Sequence, residues 1–387
     1  MSKLKAAILK INKEYKEEMG VVGIGRSEVP RIPFTSAKLN YASYGGVPVG
    51  RAIEFYGEEQ SGKTTAAIDI ASNAQKIFHK ELLDRKSALT SIIKGAKSTK
   101  VQKDKAQEEL GSLCARSVVF FDCENTYDPI WAEKLGVDNS SLVLFRPTDQ
   151  SADQIFDMIE DIVETGEAGL VILDSIGALC SSLEMEKANG EKTYGGIASE
   201  LTRFSKKIVG RLKRHSTTFI GINQVREDLS NPFEQYKTPG GKSWKHNCTM
   251  RIGFSEGKFI DANGEELKKA LEGVGKNLKI IMKKNKVSPQ DRKNGGFLIH
   301  FKQGVYKELD LIELAMTLGY IEQSGSWFQF VDDNGEYVKD SGGDIKLQGK
   351  IKVIKYLKQN PDIYNLLESI IQKEIVGESA GDCKGKN

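Results

Sequence analysis

Residues 57–65 read Gly57-Glu58-Glu59-Gln60-Ser61-Gly62-Lys63-Thr64-Thr65 and follow directly on the apolar stretch 52–56, so the pattern G-x-x-x-x-G-K-[ST] is met at every fixed position. Phosphate oxygens need many donors at close range. A loop with glycine at 57 and 62 can turn its backbone N–H groups inward with no side chain in the way. Lys63 adds positive charge for the outer phosphates, and Thr64 stands where a hydroxyl meets Mg²⁺. Residues 65–73 read as a helix whose positive N-terminal end faces the same phosphates. The order strand, loop, helix predicts an α/β core that binds a nucleoside triphosphate, an order that a chance glycine turn would lack.

The run Gly169-Leu170-Val171-Ile172-Leu173-Asp174-Ser175 is an apolar strand ending in a carboxylate, with Asp174 placed to order Mg²⁺ and its waters. Alone the pattern is common; beside the loop at Gly57 it completes an ATPase-type core. A second strand, 117–122, ends at Cys123-Glu124. Glu124 is a candidate general base for the attacking water, and the same local residues also fit a carboxylate at a helix start near Asn125 and Asp128.

A chain of 387 residues can hold one large domain with an appendage, or two domains. Its 28% charged and 39% hydrophobic residues are ordinary for a soluble protein, and no apolar run approaches the roughly 18 residues of a membrane span. Lys10 and Lys13 interrupt the apolar N-terminal residues too soon for a secretory signal, so a cytoplasmic protein is expected. Cys114, Cys123, Cys180, Cys248 and Cys383 form no C-x-x-C pair, and His79, His215, His246 and His300 are equally scattered, so neither a disulfide framework nor a metal cluster is indicated. A net charge of +3 leaves any contact with nucleic acid to local basic loops.

Residues 3–18 place Leu4, Ile8, Ile11 and Tyr15 at helical spacing, a narrow apolar stripe that needs a partner surface. Strand-like runs recur at 51–56, 117–122, 141–145, 169–174, 217–223, 249–254, 278–282 and 296–301. Helical patterns separate the early ones, which predicts a mainly parallel sheet covered on both faces, with an antiparallel extension from the later strands. A Lys/Glu/Asp/Gln/Ala-rich segment at about 80–113 reads as an inserted helical hairpin whose basic face is either solvated or in contact with DNA or a partner. Beyond residue 310 come an apolar helix at 311–318, a turn around Trp327, a Gly/Asp-rich loop at 332–344 and two further helices at 351–359 and 363–375.

Several motifs besides the phosphate loop then stand out in order: Gly45-Gly46-Val47-Pro48-Val49-Gly50-Arg51, Phe121-Asp122-Cys123-Glu124-Asn125-Thr126-Tyr127-Asp128-Pro129-Ile130-Trp131, Lys134-Leu135-Gly136-Val137-Asp138, Ile222-Asn223-Gln224-Val225-Arg226 and Lys284-Asn285-Lys286. Through them the chain resembles the RecA-type homologous recombinases over roughly residues 35–375. The resemblance implies a RecA-like phosphate-loop ATPase core at 35–302 and an N-terminal oligomerisation helix and linker at 1–34, with residues 34–42 joining the two. A small α+β domain at 303–376 and a disordered tail at 377–387 complete the expected organisation. It also implies that Glu124 is the catalytic glutamate, that Asp128 and Trp131 lie beside the adenine with Phe301 in the same nucleotide set, and that Gln224 senses the γ-phosphate.

In such proteins the loop after Gln224, at 225–237 and closed by Pro239-Gly240-Gly241, binds DNA, with Arg226, Phe233, Lys237, Gly240 and Gly241 as candidates. Its acidic Glu227, Asp228 and Glu234 leave a plain surface loop equally compatible with the composition. A second DNA loop is expected at 187–196, with Tyr194, Gly195, Gly196, Arg203 and Lys206. Lys284 and Lys286 lie on alternating strand positions and so face one way, as a solvated basic edge would; the resemblance assigns them to the triphosphate of a neighbouring subunit. Departures are Ser199 where the bacterial proteins carry arginine, Glu58 where proline is usual, and a larger insertion. The reading is an ATP- and Mg²⁺-dependent recombinase that forms a helical homo-oligomeric filament on single-stranded DNA, exchanges strands with a duplex, and works beside single-strand-binding and loader proteins. A ring-forming helicase on the same core is the alternative.

Overall fold

The computed structural model describes residues 3–15, 29–186, 196–227, 236–268, 273–332, 334–340 and 342–377. The tail at 378–387 and the linker at 16–28 lie outside these. Contacts divide the chain into the units Met1–Pro30 and Arg31–Asn387. The first holds the helix Lys3–Tyr15, on which Leu4, Leu9 and Ile11 are exposed.

In the second unit, among the described residues, nine strands form one sheet in the order Gly304–Val305, Asn294–His300, Gly275–Asn285, Met250–Ile260, Ala52–Gly57, Thr218–Gln224, Ala168–Asp174, Ser117–Asp122, Leu142–Phe145. From Met250–Ile260 to Leu142–Phe145 all neighbours are parallel; the other three strands add antiparallel. Burial explains the two kinds of sequence. Ala168–Asp174 is buried at every residue, as a strand covered on both faces must be. Gly275–Asn285 alternates buried and exposed residues over much of its length, because only one face meets a core. Its flanking lysines are why the apolar pattern marks only 278–282.

One face packs the phosphate-loop helix, with Ala66, Ile70, Ala74 and Phe78, onto Phe55, Phe120, Ile172 and Ile222. The other packs Ile155, Ile159, Phe204, Ile208 and Trp244 onto Phe121, Val171 and Phe219. A third core gathers Leu309, Ile312, Phe328, Val353 and Ile371. It also includes Ile260 and Leu298 from the central sheet, so residues 303–376 share a core with that sheet.

One boundary and one role are corrected. The helical pair expected at about 80–113 is present, but the helix read at 65–73 runs unbroken as Lys63–Lys94, so the first arm of the pair continues the phosphate-loop helix and Lys100–Ser112 returns beside it. Residues 34–42 do not act as a linker: Phe34, Leu39 and Ala42 are buried in the first core, and the helix Ala37–Ser43 is capped by Ser36, whose hydroxyl donates to Asp310 Oδ2 at 2.7 Å. The Gly/Asp-rich loop contains the short hairpin Lys339–Asp340 with Gly343–Asp344.

Asp69, on the phosphate-loop helix, holds this segment by accepting from the Thr35 N–H at 2.8 Å, while its Oδ1 has no partner. Burial pushes its carboxyl up to about 6. A carboxyl raised on folding contributes stability below its unfolded value, and that contribution is lost as pH rises through about 6. Asp69→Asn, which mimics the protonated acid, is therefore expected to melt roughly 2–4 °C higher than the parent at pH 7 and to converge with it near pH 4. Thermal melts at both pH values decide it; equal melting at pH 7 would show that Asp69 carries no such cost.

Candidate nucleotide and DNA site

The loop geometry depends on two glycines. A Cβ at Gly57 would sit 2.1 Å from the Phe254 carbonyl oxygen, and one at Gly62, whose φ is 89°, would sit 2.3 Å from Leu278 Cδ1. Gly62 caps the helix that starts at Lys63. The Lys63 ammonium donates to the carbonyls of Gly57 at 3.1 Å and Glu58 at 2.5 Å, and the Ser61 hydroxyl donates to the Glu58 carbonyl at 2.7 Å, closing the loop on itself. Burial pulls the Lys63 pKa below the ordinary lysine value, against the charges of Asp174 and Glu124.

The Thr64 hydroxyl donates to Asp174 Oδ2 at 2.7 Å. Burial pushes the Asp174 carboxyl up to about 6, opposed first by that hydrogen bond. A hydroxyl and a carboxylate in contact at the end of a phosphate loop fit Mg²⁺, which takes one or two protein oxygens and completes its shell with phosphate and water.

Glu124 lies at the end of the strand Ser117–Asp122, where the Cys123 N–H donates to the Asp174 carbonyl at 2.7 Å. Its Oε1 accepts from the Ser175 hydroxyl and from Gln224 Nε2 at 3.0 Å. The expected base and the expected sensor are thus in direct contact. Asp122 accepts from the N–H groups of Thr126 at 2.9 Å and Tyr127 at 3.1 Å, folding the loop that carries Glu124. Neither Ser175 nor Asp122 had a role in the sequence reading; the signal available was only their place beside Asp174 and Glu124.

Asp128 caps the helix Pro129–Lys134, its Oδ1 accepting from Ile130 N–H at 2.8 Å and Trp131 N–H at 3.2 Å. Trp131 and Phe301 line one cleft of about 280 Å³ with Gln60, Gly62, Lys63, Thr64 and Thr65. Lys276, Leu278 and Ile299 complete its wall and were not anticipated. Asp128 is not among the lining residues; its carboxylate orients the turn that presents Trp131.

Beside Gln224, Asn223 Nδ2 donates to Glu54 Oε1 at 2.9 Å and to the Pro239 carbonyl at 3.0 Å. The other Glu54 oxygen is held by Arg251 Nε, whose guanidinium lies 4.8 Å from the Tyr56 ring centroid. This buried pair ties both ends of the 225–237 loop to the sheet. The register of the loop stem sets Arg226 opposite Lys237. Gly240 and Gly241 open the short helix Gly241–Asn247. Gly196 begins the helix Gly196–His215, on which Lys206 is exposed and Arg203 pairs with Asp153. Tyr194, Gly195 and Phe233 fall outside the described residues.

Lys284 Nζ donates to the carbonyls of Lys245 at 2.7 Å and His246 at 2.8 Å, and Lys286 Nζ to the His246 carbonyl at 2.8 Å. Two ammonium groups therefore converge on the last turn of one helix. Burial, then the neighbouring Lys286 charge, pulls Lys284 down to about 8.

Profiles of the RecA N-terminal domain match residues 2–105 and 106–306, in two pieces that meet inside the long arm, and that of the RecA C-terminal domain matches residues 309–376. Protein RecA of Mycobacteroides abscessus is 32% identical over 377 residues, covering 96% of this chain and 92% of that protein. Protein RecA of Cutibacterium acnes is 31% identical over 373 residues (95% and 90%), and Protein RecA of Streptomyces rimosus 30% identical over 373 residues (96% and 81%).

Proposed function

The chain belongs to the RecA family and is a RecA-type recombinase, and from that premise we propose that it binds ATP with Mg²⁺ at the phosphate loop. It hydrolyses ATP when DNA is bound, and assembles head to tail into a filament that pairs single-stranded DNA with a homologous duplex. The observation that carries the reading is the convergence of Lys63, the Thr64–Asp174 pair and the Glu124–Gln224 pair at the carboxyl ends of adjacent parallel strands, where α/β sheets bind their ligands.

Each residue has a task. Backbone N–H groups of 57–65 and the Lys63 ammonium hold the phosphates; Mg²⁺, when bound through Thr64 and Asp174, neutralises charge on them. Glu124 accepts the proton of the attacking water. Gln224 Nε2 donates one of its two amide hydrogens to Glu124 at 3.0 Å. A γ-phosphate competing for that amide moves the last residue before the 225–237 loop, so ATP and DNA affinities are coupled, and by reciprocity DNA favours ATP. Trp131 and Phe301 supply an aromatic wall for the base. Support for filament assembly lies in the two lysines at 284 and 286, which converge on one helix end and are not among the residues lining their own subunit's cleft.

The test is steady-state hydrolysis without DNA, with single strands and with duplex, followed by strand exchange in the same reactions. Strong stimulation by single strands together with homologous exchange is expected. Stimulated hydrolysis with strand separation and no pairing would replace the recombinase by a helicase motor.

A further inference from the structure

Phe78 marks where the phosphate-loop helix passes the starting ends of the strands: its ring fills the space above Gly169, and the Arg116 guanidinium stacks on it at 4.5 Å. The helix continues to Lys94, about 24 Å further at 1.5 Å per residue. The arm it forms with Lys100–Ser112 is built. Leu89 and Ala106 are buried in it, and Thr99 and Gln102 cap the return helix reciprocally.

Charge is sorted along this arm. At its stem the charges are paired, Arg85 with Glu109 at 2.6 Å and Glu81 with Arg116 at 3.0 Å. Between Asp84 and Asp104 the chain has six cations, Arg85, Lys86, Lys94, Lys97, Lys100 and Lys103, and no carboxylate. Without these six the net charge would be −3 and not +3. Lys94, Lys97 and Lys100 are exposed, Lys103 is partly so, and among the described residues none of the four pairs with a carboxylate. Helix stability does not explain the pattern. Lys94 suits the end of its helix, but Lys100 and Lys103 stand in the first turn of theirs, where the dipole favours acids and none is present. A surface evolved for solubility alone mixes both signs.

We propose that this tip is a docking surface for the phosphate backbone of duplex DNA, a reading that rests on the recombinase assignment. Duplex DNA carries one charge per about 1.7 Å of axis, dense enough to engage four closely spaced ammonium groups. The loops expected to hold the single strand leave the opposite ends of the same strands, roughly 45 Å from the tip by strand and helix rise. A DNA molecule on the tip is therefore a second one, the incoming duplex.

The test uses the full chain with Lys94, Lys97, Lys100 and Lys103 all changed to Ser, loaded on single strands with a non-hydrolysable ATP analogue. Capture of a labelled non-homologous duplex is measured across a salt series, beside single-strand-stimulated hydrolysis. The variant is expected to capture duplex at least about tenfold more weakly, with a salt slope shallower by about 2 or more, and to hydrolyse ATP on single strands as the parent does. Equal capture with an equal slope overturns the proposal, as does a parallel loss of single-strand-stimulated hydrolysis, which would put the tip in the first DNA site. Absence of that stimulation in the parent would overturn the recombinase reading and this one with it.

Discussion

Glu124→Gln is expected to lower DNA-stimulated ATP hydrolysis by about 10²–10⁴-fold while ATP still binds and filaments persist longer than those of the parent. The substitution keeps the shape of the side chain and an oxygen that can accept from Ser175 and from Gln224 Nε2, so the contacts that position residue 124 survive. What is lost is the capacity to take a proton from water. A general base contributes through the transition state, so the loss falls on kcat and not on nucleotide affinity. Nucleotide binding by fluorescence and filament lifetime by light scattering separate the two. Lys63→Ala provides the contrast, since removing the cation that faces the phosphates weakens ATP binding and hydrolysis together. Turnover of Glu124→Gln within about threefold of the parent would assign the proton transfer elsewhere and leave Glu124 as a residue that merely positions Gln224.

That contact between Glu124 and Gln224 shows where sequence reasoning stops. The strands themselves were legible, because a parallel strand buried on both faces must be an apolar run, and 169–174 is one. The phosphate loop was legible because its glycines answer a steric demand that the Phe254 carbonyl and Leu278 make visible. Pairings across the fold were not. Glu54, Asn223 and Arg251 form one buried network although 169 and 197 residues separate the partners, and nothing local at Glu54 announces a charge inside a strand that is otherwise apolar. The same holds for Lys276, which reads as an ordinary solvent-facing lysine on an alternating strand and lines the nucleotide cleft. The helical pair at about 80–113 was legible from its composition, and its fusion to the phosphate-loop helix was not: Ser72 and Asn73 are residue types that favour helix ends, yet both lie inside the unbroken helix Lys63–Lys94. The place of Asp128 beside the adenine came only from the resemblance, and the structure adds a local task, since its carboxylate caps the helix that carries Trp131.

Substituting Lys284 and Lys286 together by Ala is expected to reduce DNA-dependent hydrolysis by roughly 10²-fold or more, the order of effect that a cation supplied in trans gives to phosphoryl transfer. Within one subunit both ammonium groups donate to helix-end carbonyls of residues 245 and 246, so removing them leaves no buried charge behind and the monomer should fold. Burial, then the Lys286 charge beside it, brings the Lys284 pKa down to about 8. Its charge is present below that pH and lost above it, so the contribution of the pair should fade as pH rises past about 8 unless an incoming phosphate holds the proton. A head-to-tail contact whose rotation does not close would bring that phosphate from the next subunit. Mixing discriminates between the two geometries. Equal amounts of the double variant and of Lys63→Ala, each inactive alone, should regain up to about a quarter of the parent rate if assembly is random, because that fraction of interfaces joins an intact loop to intact lysines across a head-to-tail contact. Were the lysines to act within their own subunit, no interface in the mixture would be complete, and the rate would stay at the level of the two variants measured apart.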